Sequence, residues 1–443
     1  MTAHQSLAAK IRSTELLQRS GRVRCIAGLS VEANGPVSRL GELCRIETAH
    51  GDLLDAEVIA IGEGKVTLMP YDTVKGITAG CLVTATGQLP AAQVGPNLLG
   101  RIIDGLGQPL DGKPLQYEHG NAARELYPPP LNPLRRAGIS EVIDTGIRAI
   151  DGLFTIGRGQ RIGVFAGSGV GKSTLLGMLA ANVQADILVV ALIGERGREV
   201  QSFVQESMGR PAHNKTIVVA ATSDQPPLVR RRAAYLATAI AEHFRDAGKS
   251  VCLLMDSVTR VAMAQREIGL ATGELPTARG YTPSVFTELP RFLERPGALL
   301  NGGSITGIYT VLVDGDDFDE PISDAVRATL DGHIVLSRAI AQRGRYPAID
   351  LTRSVSRLAS SLMNTAERKI AATASQSIAQ YEASRDLIEL GAYKAGSNVS
   401  LDTSIRIATE VERFFTQSPD SASTRKETMD QLTQLIQARS ERK

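Results

Sequence analysis

The stretch AGSGVGKST, residues 166–174, decides the fold. It directly follows the apolar run RIGVF (161–165) and directly precedes a helical pattern from Ser173, which is the setting a phosphate-binding loop requires. Gly167, Gly169 and Gly171 let the backbone curl so that successive N–H groups face inward, while the helix presents its positive N-terminal end to the anion. Lys172 is placed to reach the β- and γ-phosphates of a nucleotide, and Ser173 to offer its hydroxyl to Mg²⁺. The nucleotide cradle is therefore Ala166, Gly167, Ser168, Gly169, Val170, Gly171, Lys172, Ser173 and Thr174. Ala166 stands where the strict pattern has glycine, a change that leaves the cradle itself intact.

Outward from the loop, strand-like apolar runs alternate with helical ones: ILVVALIGE (187–195), TIVVAATS (216–223) followed by a helix to about residue 248, then VCLLMDS (251–257) and another helix. Leu236, Ile240 and Phe244 recur at four-residue spacing and give the helix after 227 one buried face. Such alternation means an α/β fold built of βαβ units, with a mainly parallel sheet covered on both faces. Two carboxylates follow strands of this sheet. Asp256 ends VCLLMD, at the edge where an acid can hold a Mg²⁺ shell, although an Asp there also reads as a helix N-cap. Glu195 follows ILVVALIG, where it can orient or deprotonate a water; with Arg196, Arg198 and Glu199 beside it, it also reads as part of a solvated salt-bridge patch.

With 443 residues the chain predicts about three domains. Residues 1–20 form an N-terminal segment whose stretch 3–18 reads either as a frayed terminus or as a helix that docks a partner. Residues 21–95 carry short β segments (GRVRCIAGL, LDAEVIAIG, KVTLMPY, GCLVTAT) between glycine and polar turns, and predict a β-barrel domain. In YPPPLNPLRR (127–136), four prolines predict an extended connector inside the nucleotide-binding region assigned to 96–360. From 361 to 443 the strands stop and the pattern is helical.

The bulk chemistry excludes more than it names. The formal charge of +2, from 49 basic and 47 acidic residues, makes no single-sign field for phosphate backbones or anionic lipid. There is no tryptophan, and residues 21–95 hold one aromatic, Tyr71, which argues against a stacking surface for nucleic acid. Cys25, Cys44, Cys81 and Cys252 lack CxxC pairing and metal-ligand spacing and read as reduced thiols. The longest apolar run, ILVVALI, falls far short of the roughly 18 residues that span a bilayer, and the N-terminus has no secretory h-region. A cytoplasmic protein that can dock on a membrane complex is the expectation.

The phosphate loop, GERGREV and LLMDSVTR, followed by MAQREIGLATGELPTARGYTPSVF, DGHIVLSR and YPAIDLTRSVSR, closely resemble the hexameric ATPases related to the α and β subunits of rotary ATP synthases. Within that group ARGYTPSVF, DGHIVLSR and DLIELGAYKAGSN look like the type III protein secretion ATPases, and GRVRCIAGLSVEA and VLVDGDDFDEPISDAVRATLDGHIVLSR look most like their flagellum-specific branch. The resemblance implies an N-terminal β-barrel, a RecA-like P-loop ATPase core and a C-terminal helical domain. It also implies ATP as substrate, with Mg²⁺ held by Ser173 and Asp256. The partners implied are a homohexamer, a stator-like regulatory protein at the N-terminus, a coiled-coil stalk protein, an export gate at the inner membrane, and export substrates with their chaperones. No nucleic acid is expected, and the location implied is the cytoplasmic face of the inner-membrane export apparatus.

In the rotary enzymes the water-orienting glutamate and an arginine that completes its pocket sit on different subunits. Here one chain carries both: Glu195 matches the first, and Arg357 of SVSR the second. The expected catalytic set is thus Lys172, Glu195 and Asp256 of one subunit with Arg357 of the next. Arg260, one turn beyond Asp256, is a lesser candidate. Tyr346 matches an adenine-stacking tyrosine, its other reading being a core aromatic before Pro347; SPDSAS after RFFTQ leaves the second wall of the adenine pocket unassigned. The acidic turn 313–321 reads as a solvated or interface loop rather than a metal site. Three rivals remain at this point: an RNA translocase of the transcription-terminator type, a non-catalytic ring subunit, and a rotary synthase subunit.

Overall fold

The computed structural model describes residues 17–116, 121–208, 214–313 and 317–440. Most of the expected partner-docking segment, and residues 314–316 of the acidic turn, lie outside the described residues.

Six strands, β1 (Ser20–Ala27), β2 (Ser30–Asn34), β3 (Leu43–Glu47), β4 (Leu53–Gly62), β5 (Lys65–Pro70) and β6 (Leu82–Ala85), close a barrel in the order β1-β2-β5-β4-β3-β6. In β3 the period-2 alternation turns Cys44 and Ile46 fully inward and leaves Arg45 and Glu47 exposed. Val31, Ala33, Ala56, Leu68 and Val83 complete a core of small and branched residues. Four of the six strands are legible in the sequence. The two that are not, β2 and β3, are five residues long and carry charged outward positions, so their apolar signal is two or three residues deep.

The second unit is organised by a sheet of β7 (Ile102–Asp104), β8 (Arg161–Ala166), β9 (Ile187–Ile193), β10 (Thr216–Ala221), β11 (Ser250–Asp256), β12 (Ser304–Leu312), β13 (Gly332–Leu336) and β14 (Val355–Ser356). Their order is β14-β13-β8-β12-β11-β9-β10-β7, parallel throughout except for β14 at the edge; the short strand Gly297–Ala298 pairs with β12 off this path. Every residue of β9 and β11 is buried, which is why these strands read as unbroken apolar runs. The two faces nevertheless separate by period 2. Ile187, Val189, Ala191 and Ile193 join a core with Leu236 and Ile240 of α2 (Pro227–Asp246) and Val261 of α3 (Val258–Ala271). Leu188, Val190 and Leu192 join another with Leu175, Leu176 and Leu179 of α1 (Lys172–Asn182).

That second core continues into the C-terminal helices α4 (Thr365–Glu389), α5 (Val399–Phe415) and α6 (Arg425–Ser440) through Ile378, Ile407, Val411, Phe415 and Leu432. Helix α4 starts at a reciprocal cap, Asn364 Oδ1 accepting from Glu367 N and Glu367 Oε2 from Asn364 N. The same Glu367 accepts both arms of Arg425 at 3.0 and 2.9 Å, so one carboxylate ties the first helix of the domain to the last. In the proline-rich connector the extended chain is broken by one short 3-10 turn, Pro133–Arg135, capped by Asn132. The expectation of an extended connector needs that correction: proline is tolerated at the first position of a helical turn.

Barrel and sheet meet over a buried polar joint. Glu57 of β4, 3 % exposed, accepts from Tyr71 Oη at 2.9 Å and from Arg231 Nη2 of α2 at 2.7 Å. Arg232 donates to the Tyr71 hydroxyl at 3.2 Å, and its guanidinium lies over the Tyr71 ring. The one aromatic of the barrel is thus a buried joint residue. Removing one partner of such a pair leaves the other charge uncompensated, at a cost of about 3–5 kcal/mol. Glu57→Ala is expected to lower the thermal unfolding midpoint of the full chain, whereas an unchanged midpoint would show that the joint is dispensable.

Candidate active site

The carboxyl edge of the parallel sheet gathers the residues singled out by spacing. Strand β8 ends at Ala166, the chain turns through Gly169 (φ 77°) and Gly171 (φ 89°), and α1 begins at Lys172. Both glycines occupy the left-handed region that other residues enter only with strain. Gly171 lies beside the Tyr346 ring: a Cβ there would sit 3.5 Å from two ring carbons, ordinary contact distance, so the glycine is required by its backbone conformation alone. Gly167 and Val170 are buried beneath the loop, whereas Ser168, Ser173 and Thr174 are exposed at its mouth.

Lys172 Nζ donates to Asp256 Oδ1 at 2.6 Å and to Glu195 Oε1 at 3.3 Å. The two carboxylates arrive from adjacent strands: β9 and β11 pair in parallel with Leu192 opposite Asp256, and Glu195 lies just beyond β9. Thr310 Oγ1 of β12, also at this edge, donates to Asp256 Oδ1 at 2.6 Å. The carboxylate of Asp256 is therefore committed to the lysine and the threonine, while the helix cap is Ser257, which accepts from Arg260 N at 3.4 Å. Of the two readings of Asp256, the N-cap falls away.

Glu195 is 8 % exposed, so the salt-bridge patch reading falls away for it too; Arg196 instead pairs loosely with Glu199 on the surface. Burial, reinforced by the charge of Asp256, pushes the Glu195 carboxyl up to about 7 against the pull of Lys172. For Lys172 burial works against the charge, but Asp256 and Glu195 outweigh it and hold the ammonium above the ordinary lysine range. One cation between two buried carboxylates would leave a net negative charge if both acids ionised, and the raised Glu195 carboxyl relieves it by taking up a proton as pH falls through about 7.

Around this centre, Gly194 (φ 70°) lets the chain pass Arg260, whose Cβ would lie 2.8 Å from a Cβ at 194. Tyr346 is 43 % exposed with its ring on the phosphate loop, so it is no core aromatic. Its carbonyl accepts from Gln417 N at 2.8 Å, and the Gln417 amide donates to Gly146 and Ser421. The break after RFFTQ thereby clamps the tyrosine from the helical domain, while Phe415 is buried in the core and Arg148 covers Phe414. Spacing missed two neighbours. Thr310 is signalled only by a hydroxyl residue inside an apolar strand, and Arg338, whose Nη2 reaches Ser168 O at 3.4 Å, only by its place two residues past β13.

Arg357 stands apart. Strand β14 pairs Ser356 with Gly332 at the start of β13, whereas β13 runs alongside β8 until Leu336 lies opposite Ala166. Four residues of strand, about 13 Å, separate its level from the start of the phosphate loop. Its guanidinium is exposed, donates to Arg327 O at 3.3 Å, and has no carboxylate partner among the described residues. The structure brings Lys172, Glu195, Asp256, Ser173 and Tyr346 to one edge of the sheet and Arg357 to the other.

The raised Glu195 carboxyl has a stability consequence. Between its ordinary value near 4.5 and about 7 the folded chain holds a proton that the unfolded chain has lost, so this group's ionisation destabilises the fold as pH rises through that window. Glu195→Gln is expected to flatten that part of the pH–stability profile of the nucleotide-free chain, measured by thermal unfolding; an unaltered profile would contradict the assignment.

Three family models match successive parts of the chain: the ATP synthase alpha/beta family β-barrel domain over residues 23–87, its nucleotide-binding domain over 146–356, and the T3SS EscN ATPase C-terminal domain over 363–434. Among curated relatives, the flagellum-specific ATP synthase of Bacillus subtilis is 49 % identical over 433 residues, covering 97 % of this chain and 98 % of that one. The flagellum-specific ATP synthase of Salmonella typhimurium is 46 % identical over 431 residues, 94 % and 93 % of the two chains. The assembled ATPase EscN of the enteropathogenic E. coli type III secretion system superposes with a TM-score of 0.89 at 44 % identity over 94 % of this chain and all of that one; EscN in complex with its central stalk EscO gives 0.85 at 43 %, with the same coverage. With three family models matched in succession and 46–49 % identity to these relatives along nearly the whole length, the chain belongs to the ATP synthase alpha/beta family and, within it, to the flagellum-specific ATP synthases.

Proposed function

We propose that the chain hydrolyses ATP to ADP and phosphate in a homohexameric ring and so energises type III protein export, of flagellar components. The observation that carries this reading is the Lys172–Glu195–Asp256 cluster at one edge of a sheet whose other edge displays an exposed Arg357 with no carboxylate partner among the described residues. A non-catalytic subunit has no use for a buried carboxylate beside the phosphate lysine. An RNA translocase has no support from a barrel whose one aromatic is buried.

In this mechanism the loop amides and Lys172 hold the phosphates, and the arrival of the nucleotide's negative charge draws the ammonium from the two carboxylates towards the γ-phosphoryl group. Glu195 then orients a water in line with the bond between the γ-phosphorus and its bridging oxygen. That bond breaks as the water oxygen attacks, and the carboxylate accepts the proton the water loses. Ser173, exposed at the mouth of the loop, and Asp256, buried at the end of β11, offer a hydroxyl and a carboxylate, a hard oxygen set that suits Mg²⁺, which if bound there would supply charge neutralisation for the phosphates. Tyr346, half-exposed on the loop, supplies a stacking wall for adenine. Arg357 of the neighbouring subunit matches the charge that develops on the transferred phosphoryl group.

The likeness to EscN, solved as an assembly and with its central stalk EscO, supports a ring with a stalk partner for this chain. A stator-like regulator at the N-terminal segment, an export gate, and export substrates with chaperones at the helical end extend the reading. A cytoplasmic position at the inner membrane is compatible with the described residues, among which no helix is long and apolar enough to cross a bilayer.

Two outcomes test it. Base–aromatic stacking is worth about 1–3 kcal/mol, so Tyr346→Ala is expected to raise the KM for ATP roughly 5- to 150-fold with a much smaller change in kcat; a change confined to kcat would remove Tyr346 from the base site. Arg357→Ala is expected to lower kcat by about 10³ or more, and Lys172→Ala to abolish turnover. Mixing the two inactive proteins creates interfaces where an intact pocket faces an intact arginine, so verified mixed rings should regain ATPase activity. Mixed rings without activity would overturn delivery between subunits.

A further inference from the structure

Arg357 follows a two-residue edge strand, which by itself holds a long side chain loosely. A group that must meet a developing charge needs better, since misplacement by about 1 Å can cost 10²-fold in rate. The structure assigns this placement to Gln160 and Ser356, which we infer to be positioning residues for the arginine each subunit lends to its neighbour. The inference rests on the reading of Arg357 as acting between subunits.

Gln160 is completely buried at the start of β8. Its Oε1 accepts from Gly157 N at 2.8 Å, and its Nε2 donates to Ser356 Oγ at 3.0 Å and to Asp331 O at 3.3 Å. The Ser356 hydroxyl in turn donates to Thr155 O at 3.1 Å. Ser356 is thus held on both sides by groups with no freedom of their own. Asp331 O also accepts the backbone amide of Arg357 at 3.0 Å, and the Asp331 carboxylate takes Arg161 Nε and Nη2, both at 3.0 Å. Gly332 completes the seat: a Cβ there would lie 2.5 Å from Val355 O, so only glycine lets β14 lie so close.

None of these residues approaches Lys172, yet all stand at the amino end of β8, the strand whose carboxyl end is the phosphate loop. A buried amide is an unusual choice for a core position unless every one of its hydrogen bonds is used, and here they fix one short segment. The network has no evident task in its own subunit's pocket. Its output is the direction in which residue 357 leaves the sheet.

The test uses the full-length chain. Ser356→Ala removes the hydroxyl from a partly exposed position without opening the core, and Ser356→Thr retains it. If Ser356 positions Arg357, Ser356→Ala lowers kcat about tenfold with the KM for ATP unchanged, and Ser356→Thr recovers the kcat that alanine loses. Mixing Ser356→Ala with Lys172→Ala protein should then raise activity several-fold in verified mixed rings, because the second protein contributes well-placed arginines to the first protein's intact pockets. An unchanged kcat in Ser356→Ala overturns the inference. So does a lowered kcat that mixing fails to restore while the Arg357→Ala and Lys172→Ala mixture does recover, since the fault would then lie in the subunit's own pocket. If the Arg357→Ala mixture also fails, the reading of Arg357 falls and takes this inference with it. Gln160→Met, which keeps the volume but not the donor, is expected to reproduce the kcat loss.

Discussion

The structure depends on one constraint: an ammonium and two carboxylates kept together away from water at the edge of a parallel sheet. Lys172, Glu195 and Asp256 come from three segments that share no local signal, and only the parallel register of β8, β9 and β11 ends their strands at one level. Isolated, each charge would be costly to bury. Together they satisfy one another, while burial and the charge of Asp256 push the Glu195 carboxyl up to about 7. A pocket so arranged is poised to exchange one acceptor of the lysine for another. In the proposed mechanism the incoming phosphate replaces carboxylate oxygens, and the freed carboxylate serves as the base.

The polarity of the sheet also bears on the proposed role of Arg357 between subunits. Strands of a parallel sheet enter at one end and leave at the other, and phosphate sites form where they leave. Arg357 is attached by the antiparallel strand β14 at the end where they enter. No adjustment of its side chain alters that, so a role at the phosphates has to be exercised on another copy. One strand, β8, then has the phosphate loop at one end and the seat of Arg357 at the other. The helical domain adds a further link, because its core is continuous with the α1 face and Gln417 holds the carbonyl of Tyr346.

Much of this was legible in order of residues. The phosphate loop announces itself because backbone curvature needs glycine, and charge recognition needs lysine, at fixed offsets. Strands β9, β10 and β11 do so because burial on both faces requires uninterrupted apolar runs. The barrel strands β2 and β3 escaped because five residues with outward charges look like turn sequence. Thr310, Arg338, Gln160 and Ser356 escaped for another reason: the partners that give them their place, Asp256, Ser168, each other and Thr155, lie 54 to 201 residues away, so no window of sequence contains the interaction.

By itself, then, the sequence determined four strands of the barrel, the apolar strands at the centre of the sheet with the helices after them, where phosphate would be cradled, and which charges were candidates for chemistry, since each follows from local spacing and side-chain type. Tertiary structure alone decided between readings that spacing left open. It made Asp256 a partner of Lys172 and Ser257 the cap, took Glu195 out of the surface patch, brought Tyr346 out of the core and onto Gly171, and set Arg357 at the far end of the sheet. The reason is common to all of these. Burial, protonation and reach are set by what surrounds a side chain, and in a parallel sheet the surroundings are supplied by strands that are neighbours in space and remote along the chain.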